Sequence, residues 1–350
     1  MEQVTHAYLC STGFEEPLAR EIGPGSEVLA KGVVITRGRP LPLFASDFVF
    51  ARQVLPEAVE VHAPSIRKLA AGAVEAAIPV IETGEEPWRL DFVLPDDPVD
   101  WNLPGEMARR SRLLREAFQA ILLDRRRKTA KRRVEGDWVT RDDSRLALVQ
   151  VLLFHREKLL TSVCRPGRLP GGAVWPSRFP AGRFKAGDDW DAPSSAFRKL
   201  REALAWFGRE IRRGERCIDL GAAPGGWSHV ALQAGARVVA VDRANLDPRL
   251  AANPRLVHER RTGFSYAPED PPVDWLLCDI IAEAARSLSL LRRWAEARWF
   301  RRTVFHLKFK GTADYHLAAE AVGILKACGY AGARAKHLYH DRNEVTVWAE

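Results

Sequence analysis

The stretch CIDLGAAPGGWSHV, residues 217–230, decides the fold of the C-terminal half. Residues 217–220 read as the end of a buried strand, and a helical run opens at about Trp227. Between them Gly221, Gly225 and Gly226 make a turn whose backbone can take positive φ and approach a ligand closely. In an open α/β sheet such a turn lies at the carboxyl end of a strand, where ligands bind. Ala223-Pro224 occupies the middle of what would be a Gly-x-Gly-x-x-Gly fingerprint, so a pyrophosphate cradle is not expected. Asp242 ends the next apolar run, 21 residues after Gly221, and a carboxylate there accepts hydrogen bonds from ribose hydroxyls. Together they predict an adenosine-containing ligand without a diphosphate. An ordinary strand-to-helix turn is the competing reading, because glycine turns are common.

Around this turn, short apolar runs at 216–220, 237–242, 274–279 and 303–308 alternate with helical segments, which predicts an α/β, doubly wound parallel sheet from residue 194 onward. The last two runs, 334–339 and 345–349, are joined by residues 340–344. That connection is too short for a crossover helix, so the final strand is expected to be antiparallel. Residues 166–193 contain Pro166, Pro170, Pro176, Pro180 and Pro193 and read as a linker or ordered loop.

Two further regions precede it. Residues 1–58 hold strand-like runs at 6–10, 27–36 and 47–53 and an amphipathic stretch at 14–22, which suggests a small α+β unit. Residues 59–165 read as a second unit, with helices at 65–77 and 109–123 and strands at 88–94, 146–154 and 159–164. Its second helix runs into Arg125, Arg126, Arg127, Lys128, Lys131, Arg132 and Arg133, seven cations in nine residues. That run reads as a phosphate-contacting patch, with a solvated helix end as the bland alternative.

The chain of 350 residues suits two or three domains, and 46% hydrophobic with 28% charged residues is ordinary for a globular protein. Lysine plus arginine outnumber acidic residues 53 to 45, a net charge of +8 that favours a polyanionic partner. The five cysteines are widely spaced with no Cys-x-x-Cys pair, which reads as reduced thiols in a reducing compartment. Residues 1–20 lack a continuous apolar stretch, and the longest apolar runs are far short of a membrane span, so a cytoplasmic protein is expected. Trp175 and Trp190 flank the linker and could stack on bases or pack it down. His337 and His340 have no cysteine or histidine partner at ligand spacing, so no metal site is read.

Four residues suggest chemistry. Asp279 and Lys308 end apolar strands, Lys199 lies in a helix just before the cofactor strand, and Glu344 opens the last strand. A hydroxyl becomes a nucleophile only when its proton is loosened. A partly desolvated lysine beside another cation has a lowered pKa and can act as base. Lys308 is the candidate base. Asp279 and Glu344 would orient the amines and the hydroxyl, and Lys199 would depress the pKa of Lys308 and help position the target. Singly, each could be a solvated cap or a helix N-cap.

The pieces WPSRFPAGRFKAGDDWDAPSSAFRKLREA, DLGAAPGGW, VDRANL, WLLCDI, FHLKFK and LYHDRNEVTVWA, spanning about 175–350, together resemble the FtsJ-like RNA ribose 2′-O-methyltransferases. More narrowly they resemble the bacterial M-type branch that acts on a cytidine of 23S ribosomal RNA. STGFEEPLAREI near the start is similar to that branch as well. The resemblance implies a Rossmann-like S-adenosylmethionine methyltransferase domain at 194–350, preceded by a ferredoxin-like α+β module at 1–58 and a THUMP-like RNA-binding domain at 59–165. It implies a Lys-Asp-Lys-Glu tetrad at Lys199, Asp279, Lys308 and Glu344, with Lys308 as proton acceptor. It also implies S-adenosylmethionine contacts at Ala196, Gly221, Ala223, Pro224, Gly225, Gly226, Trp227, Asp242, Thr262 and Asp279. Two positions depart from the family: Ser194-Ser195-Ala196 lacks its arginine, and Thr262 stands where it has an aspartate. A methyltransferase for another substrate class, and an RNA-binding protein with an inactive methyltransferase domain, remain open alternatives on sequence.

Overall fold

Apolar runs that are buried on both faces must lie inside a sheet, and the order of those runs sets the sheet. The computed structural model describes residues 4–38, 48–95, 104–134, 146–165, 167–168, 174–177 and 179–350. They fall into two units, one up to Arg183 and one from Phe184 to Glu350.

In the first unit the elements are β1 (Thr5–Leu9), α1 (Glu15–Ile22), β2 (Ser26–Ala30), β3 (Val33–Arg37), β4 (Gln53–His62), α2 (Ile66–Glu82), β5 (Trp88–Val93), α3 (Pro104–Arg125), α4 (Arg127–Lys131), β6 (Ala147–His155) and β7 (Lys158–Cys164). They build a seven-stranded sheet in the order β2-β3-β1-β4-β7-β6-β5. β6 carries the core on both sides. Val149, Val151 and Leu153 face a cluster with Leu69, Ala73 and Phe118 of the helices. Leu152 joins Leu9, Ile35 and Leu160 in a second cluster. Helix α2 starts where Ser65 accepts a hydrogen bond from the Lys68 N–H at 3.3 Å. It approaches β4 closely: a Cβ at Gly72 would meet Val61 Cγ1 at 2.5 Å.

The run at 27–36 is a hairpin, β2 and β3, folded back at Gly32 with φ of 70°. The strand expected at 47–53 begins only at Gln53, and Asp47 lies outside the described residues. The reason is local. The N–H groups of Val49 and Phe50 donate to the Glu21 carboxylate at 2.8 and 3.0 Å instead of to a neighbouring strand. β4 runs through the expected boundary at 58/59, pairing with β1 on one side and β7 on the other. In 166–193 the described residues include a two-stranded ladder of β8 (Gly167–Arg168) and β9 (Val174–Trp175), while Pro166 and Pro170 lie outside them.

The second unit comprises α5 (Phe197–Phe207), β10 (Arg216–Leu220), α6 (Gly226–Gln233), β11 (Arg237–Val241), α7 (Pro248–Ala251), β12 (Leu256–Glu259), β13 (Val273–Cys278), α8 (Ala284–Glu296), β14 (Phe300–Lys308), α9 (His316–Ala327), β15 (Arg334–Lys336) and β16 (Glu344–Ala349). Their sheet order is β12-β11-β10-β13-β14-β16-β15. The strands from β12 to β14 are parallel, and β16 is antiparallel to both its neighbours. This is the doubly wound sheet with an antiparallel last strand that the sequence predicts. β12 escapes the sequence pattern because it is a four-residue edge strand in which only Leu256 is buried. The segment leading into α5 is tied down by Asp189, whose carboxylate lies 2.5 Å from Arg201, 3.1 Å from His229 and 3.2 Å from Gln233.

Trp348 in β16 is 1% exposed, stacks on Phe207 at 4.5 Å between ring centroids, and meets Trp275 edge-on at 5.6 Å. It pins the antiparallel strand to α5 and β13. Trp348→Ala is expected to cost about 3–5 kcal/mol through lost burial and the cavity left behind. Chemical denaturation of the full chain checks this, and a loss under about 1 kcal/mol contradicts the packing role.

Candidate active site

The parallel strands end along one sheet edge, and their following loops line a cavity of about 1260 Å³. At the β10 end Gly221 has φ of 77°, and a Cβ there would lie 2.7 Å from Ile280 Cγ1 and 2.9 Å from Ile280 Cα. The loops after β10 and β13 therefore cross at a point with no room for a side chain. Asp242 follows β11. Its two oxygens accept the N–H groups of Ala223 and Ala244 at 3.1 and 2.9 Å, and each keeps a lone pair for a further donor.

Of the sequence-predicted binding residues, Ala196, Gly221, Ala223, Pro224, Gly226, Trp227, Asp242, Thr262 and Asp279 line the cavity. Gly225 does not; its added Cβ would meet Leu250 Cδ1 at 2.3 Å, and its φ of 120° is what opens α6. The Trp227 indole N–H donates to the Ala196 carbonyl at 3.0 Å, so that side chain braces the wall. Thr262 Oγ1 accepts the Phe264 N–H at 3.4 Å. Ser194 was not among the predicted residues. The residue lines the cavity, and its Oγ is buried with no hydrogen-bond partner.

Lys199, Asp279, Lys308 and Glu344 meet at one end of the same cavity. The antiparallel β16 brings this about, since its first residue, Glu344, pairs with Lys308, the last residue of β14. Lys308 Nζ lies 2.7 Å from Asp279 Oδ1, 3.0 Å from the Asp279 carbonyl and 3.8 Å from Glu344 Oε2. Lys199 Nζ bonds Glu344 Oε1 and lies 3.8 Å from Asp279 Oδ2. Each carboxylate thus reaches both amines. Beside the like charge that Lys199 presents to Lys308, the geometry sets two carboxylates within reach of both amines.

A fifth group completes the cluster. His306 is fully buried, with Nδ1 3.0 Å from Asp279 Oδ1 and 3.7 Å from Glu344 Oε2. Burial works to raise the Asp279 pKa, but His306, Lys308 and Lys199 outweigh it and hold the carboxyl well below its usual range. Glu344 is lowered likewise, by His306 and Lys199 against burial. Burial would lower the Lys199 pKa, yet Asp279 and Glu344 raise it. Asp279, His306 and Glu344 present atoms within 4.8 Å of one another, a spacing that could also suit a cation. Here the ammonium groups of Lys199 and Lys308 already supply the counter-charge to both carboxylates.

His306, Thr346 and Glu202 escaped the sequence reading, though the first two carried a signal. Side chains on a strand face recur at every second residue. His306 therefore shares a face with Lys308, and Thr346 with Glu344, and the two pairs face each other in register. Glu202 lies three residues after Lys199, one helical turn on. It accepts the N–H groups of Tyr339 and His340 at 2.7 and 2.9 Å and bonds His340 Nδ1 at 2.6 Å, fixing the turn that delivers β16. His337 is held to the Arg342 carbonyl at 2.8 Å.

In the first unit the cation run is partly engaged. Arg125 pairs with Glu75 at 3.2 Å and Arg126 with Glu82 at 2.7 Å, while Arg132 bonds the carbonyls of Ile81, Gly84 and Glu86. Arg127, Lys128 and Lys131 are exposed. Trp175 is 8% exposed, which leaves it no face for a base, and Trp190 is 91% exposed. The five cysteines are free, with Cys10, Cys217 and Cys278 buried. Among the described residues no helix is long and apolar enough to cross a membrane.

Residues 193–300 match the FtsJ-like methyltransferase family. Lys199 and Asp279 lie inside that stretch, Lys308 and Glu344 beyond it. Ribosomal RNA large subunit methyltransferase M of Halorhodospira halophila is 37% identical over 178 residues, covering 50% of this chain and 51% of the relative. The protein of the same name from Alkalilimnicola ehrlichii is 38% identical over 185 residues, 51% of this chain and 50% of the relative. The chain spans about half the length of the curated relatives it matches. Among solved structures, TrmN from Thermus thermophilus aligns over 99% of each chain at 16% identity with a TM-score of 0.34.

The depressed Glu344 carboxyl makes a stability prediction. Its pairing stabilises the fold above the unfolded-state pKa, about 4.3, and is lost as pH falls through the lower folded value. Glu344→Gln is expected to melt below the wild type at pH 7, with the gap closing as pH drops under about 4. A gap that stays constant in melts from pH 7 to pH 3 contradicts the assignment.

Proposed function

We propose, from the premise that residues 193–300 form an FtsJ-like methyltransferase domain, that this protein transfers a methyl group from S-adenosylmethionine to a ribose 2′-hydroxyl of a cytidine in 23S ribosomal RNA. The observation that carries the reading is the cluster of two amines and two carboxylates at the end of the cavity.

The residues present fit the cofactor. Ser194 lines the cavity and its buried Oγ has no hydrogen-bond partner, which leaves a polar group there to be satisfied. Asp242 keeps lone pairs for ribose hydroxyls, and the Gly221 crossing keeps the loop backbone bare. Thr262 offers an oxygen where the resemblance implies a carboxylate, and its Oγ1 also accepts the Phe264 N–H. S-adenosylmethionine, when bound, supplies an electrophilic methyl group on a sulfonium.

What the chain itself does is hold and move a proton. Lys308 Nζ accepts the proton of the ribose hydroxyl, which requires the amine in its neutral form. Asp279 anchors that amine through a carboxylate oxygen and its backbone carbonyl, fixing its direction. Glu344 holds Lys199, which positions the sugar oxygen. Methyl transfer in line needs no covalent enzyme intermediate, so alignment supplies most of the rate.

The RNA would reach the cavity past Arg243 and Arg342, both exposed on its rim, with Ile281 beside them at 90% exposure. In the first unit, residues 1–58 as a ferredoxin-like module and 59–165 as a THUMP-like domain would bind RNA, with Arg127, Lys128 and Lys131 on phosphates. The protein would act in the cytoplasm, on naked RNA or an early assembly intermediate.

Ribosomal RNA incubated with methyl-labelled S-adenosylmethionine is expected to carry the label on a ribose; label on a base or on protein refutes the reaction. Lys308→Ala is expected to slow transfer by about 10²–10⁴-fold with cofactor affinity nearly unchanged. Activity within tenfold of wild type removes Lys308 from the base role. Neutralising Arg127, Lys128 and Lys131 together should flatten the plot of log affinity against log salt by about 2–3 units. An unchanged slope means that those cations do not meet phosphates.

A further inference from the structure

His306 lies within the cluster, yet it is fully buried and is absent from the cavity lining. It therefore acts only through another residue. Every polar atom of its ring is engaged. Nδ1 meets Asp279 Oδ1 at 3.0 Å, the same oxygen that Lys308 reaches at 2.7 Å. Nε2 meets Thr346 Oγ1 at 3.0 Å, and that hydroxyl lies 3.0 Å from Asp341 Oδ2. The Trp227 ring packs edge-on against the imidazole at 4.8 Å. An apolar side chain would fill this strand position at less desolvation cost. The imidazole is instead clamped from both ends with one nitrogen aimed at the carboxylate that holds the candidate base.

We propose that His306 is a positioning residue: by donating to Asp279 Oδ1 it divides that oxygen between two donors, loosens its hold on the Lys308 ammonium, and so lets Lys308 give up its proton at a lower pH. The proposal deepens the methyltransferase reading and rests on it. The electrostatics agree with the geometry. Burial pushes Asp341 up to about 7, and its Oδ1 has no hydrogen-bond partner. Burial would lower His306, but Asp279, Asp341 and Glu344 raise it. The Thr346 hydroxyl bridges Asp341 and His306, so one proton can sit at either end of that chain. It sits either as a carboxylic acid donating to Thr346, which donates to a neutral ring, or as an imidazolium donating back to an aspartate. In both forms Nδ1–H faces Asp279, so the clamp persists whichever way the proton lies. The titratable and charged groups around this chain are Lys199 and Glu202 on α5, Asp219 on β10, Asp279 after β13, Lys308 on β14, Asp341 in the turn before β16 and Glu344 at its start.

The test titrates Lys308 directly. Lysines of the full chain are reductively methylated with ¹³C-formaldehyde, and the Lys308 signal is assigned by its loss in Lys308→Arg. In His306→Phe the Lys308 midpoint should rise by about one pH unit. The acid limb of the kcat profile should move with it, and kcat at neutral pH should fall about tenfold while KM for RNA and for S-adenosylmethionine stays within about twofold. His306→Asn, whose amide can donate to the same oxygen, should restore most of the shift. Should His306→Phe fail to fold, Thr346→Val is read in the same way and should move the midpoint upward by less. An unmoved Lys308 midpoint in a folded variant, or His306→Asn behaving no better than His306→Phe, overturns the proposal. The midpoint is read without RNA. A shifted midpoint with no ribose methylation therefore indicts the function and spares His306, and an unmoved one in an active enzyme does the reverse.

Discussion

A single antiparallel strand decides what this sheet can do. Parallel strands deliver only their last residues to the ligand-binding edge. β16 runs the other way, so its first residue arrives there, and Glu344 lands opposite Lys308 in the ladder. The pairing brings a carboxylate from the far end of the chain onto a lysine that would otherwise face only Asp279. It also brings Thr346 opposite His306, so the same register that builds the ion cluster builds the hydrogen-bonded layer beneath it. A slip of one residue would turn both side chains to the other face.

Much of the rest serves that register. Trp348 wedges β16 between Phe207 and Trp275, and Glu202 ties the preceding turn to the helix that carries Lys199. Lys199 and Glu202 are thus one helical turn apart and grip the incoming strand at two points. The cluster itself is close to balanced in charge, which matters because its members are largely buried. Two carboxylates unpaired in that setting would resist ionisation; here His306 and the two lysines keep them charged. An arrangement of this kind costs more desolvation than apolar side chains in the same places, so its presence in a packed sheet points to chemistry.

The sequence made the second unit legible because its signals are local. The glycine turn after an apolar run, an acid 21 residues on, and a connection too short for a helix each follow from chain geometry, and all the expected contact residues but Gly225 line the cavity. Gly225 lies outside that lining, and its backbone angle and the approach of Leu250 are what require glycine there. His306 was passed over as part of an apolar run, although strand alternation put it on the face of Lys308. Glu202 was hidden because a glutamate on an amphipathic helix usually meets water, and its partners are main-chain N–H groups some 137 residues away. In the first unit the strand expected at 47–53 failed for the same reason: Glu21 takes the backbone donors from across the chain. Ser194 could be recognised only once folding had left its hydroxyl without a partner.

The account stands or falls on where the transferable group sits relative to Lys308. A crystal structure with S-adenosylhomocysteine measures this directly. The account predicts the thioether sulfur facing the Lys308 and Asp279 end of the cavity, with Nζ within about 3 Å, or one bridging water, of the site a ribose hydroxyl must occupy. A sulfur turned away from Lys308, with no room for a sugar between them, would contradict it.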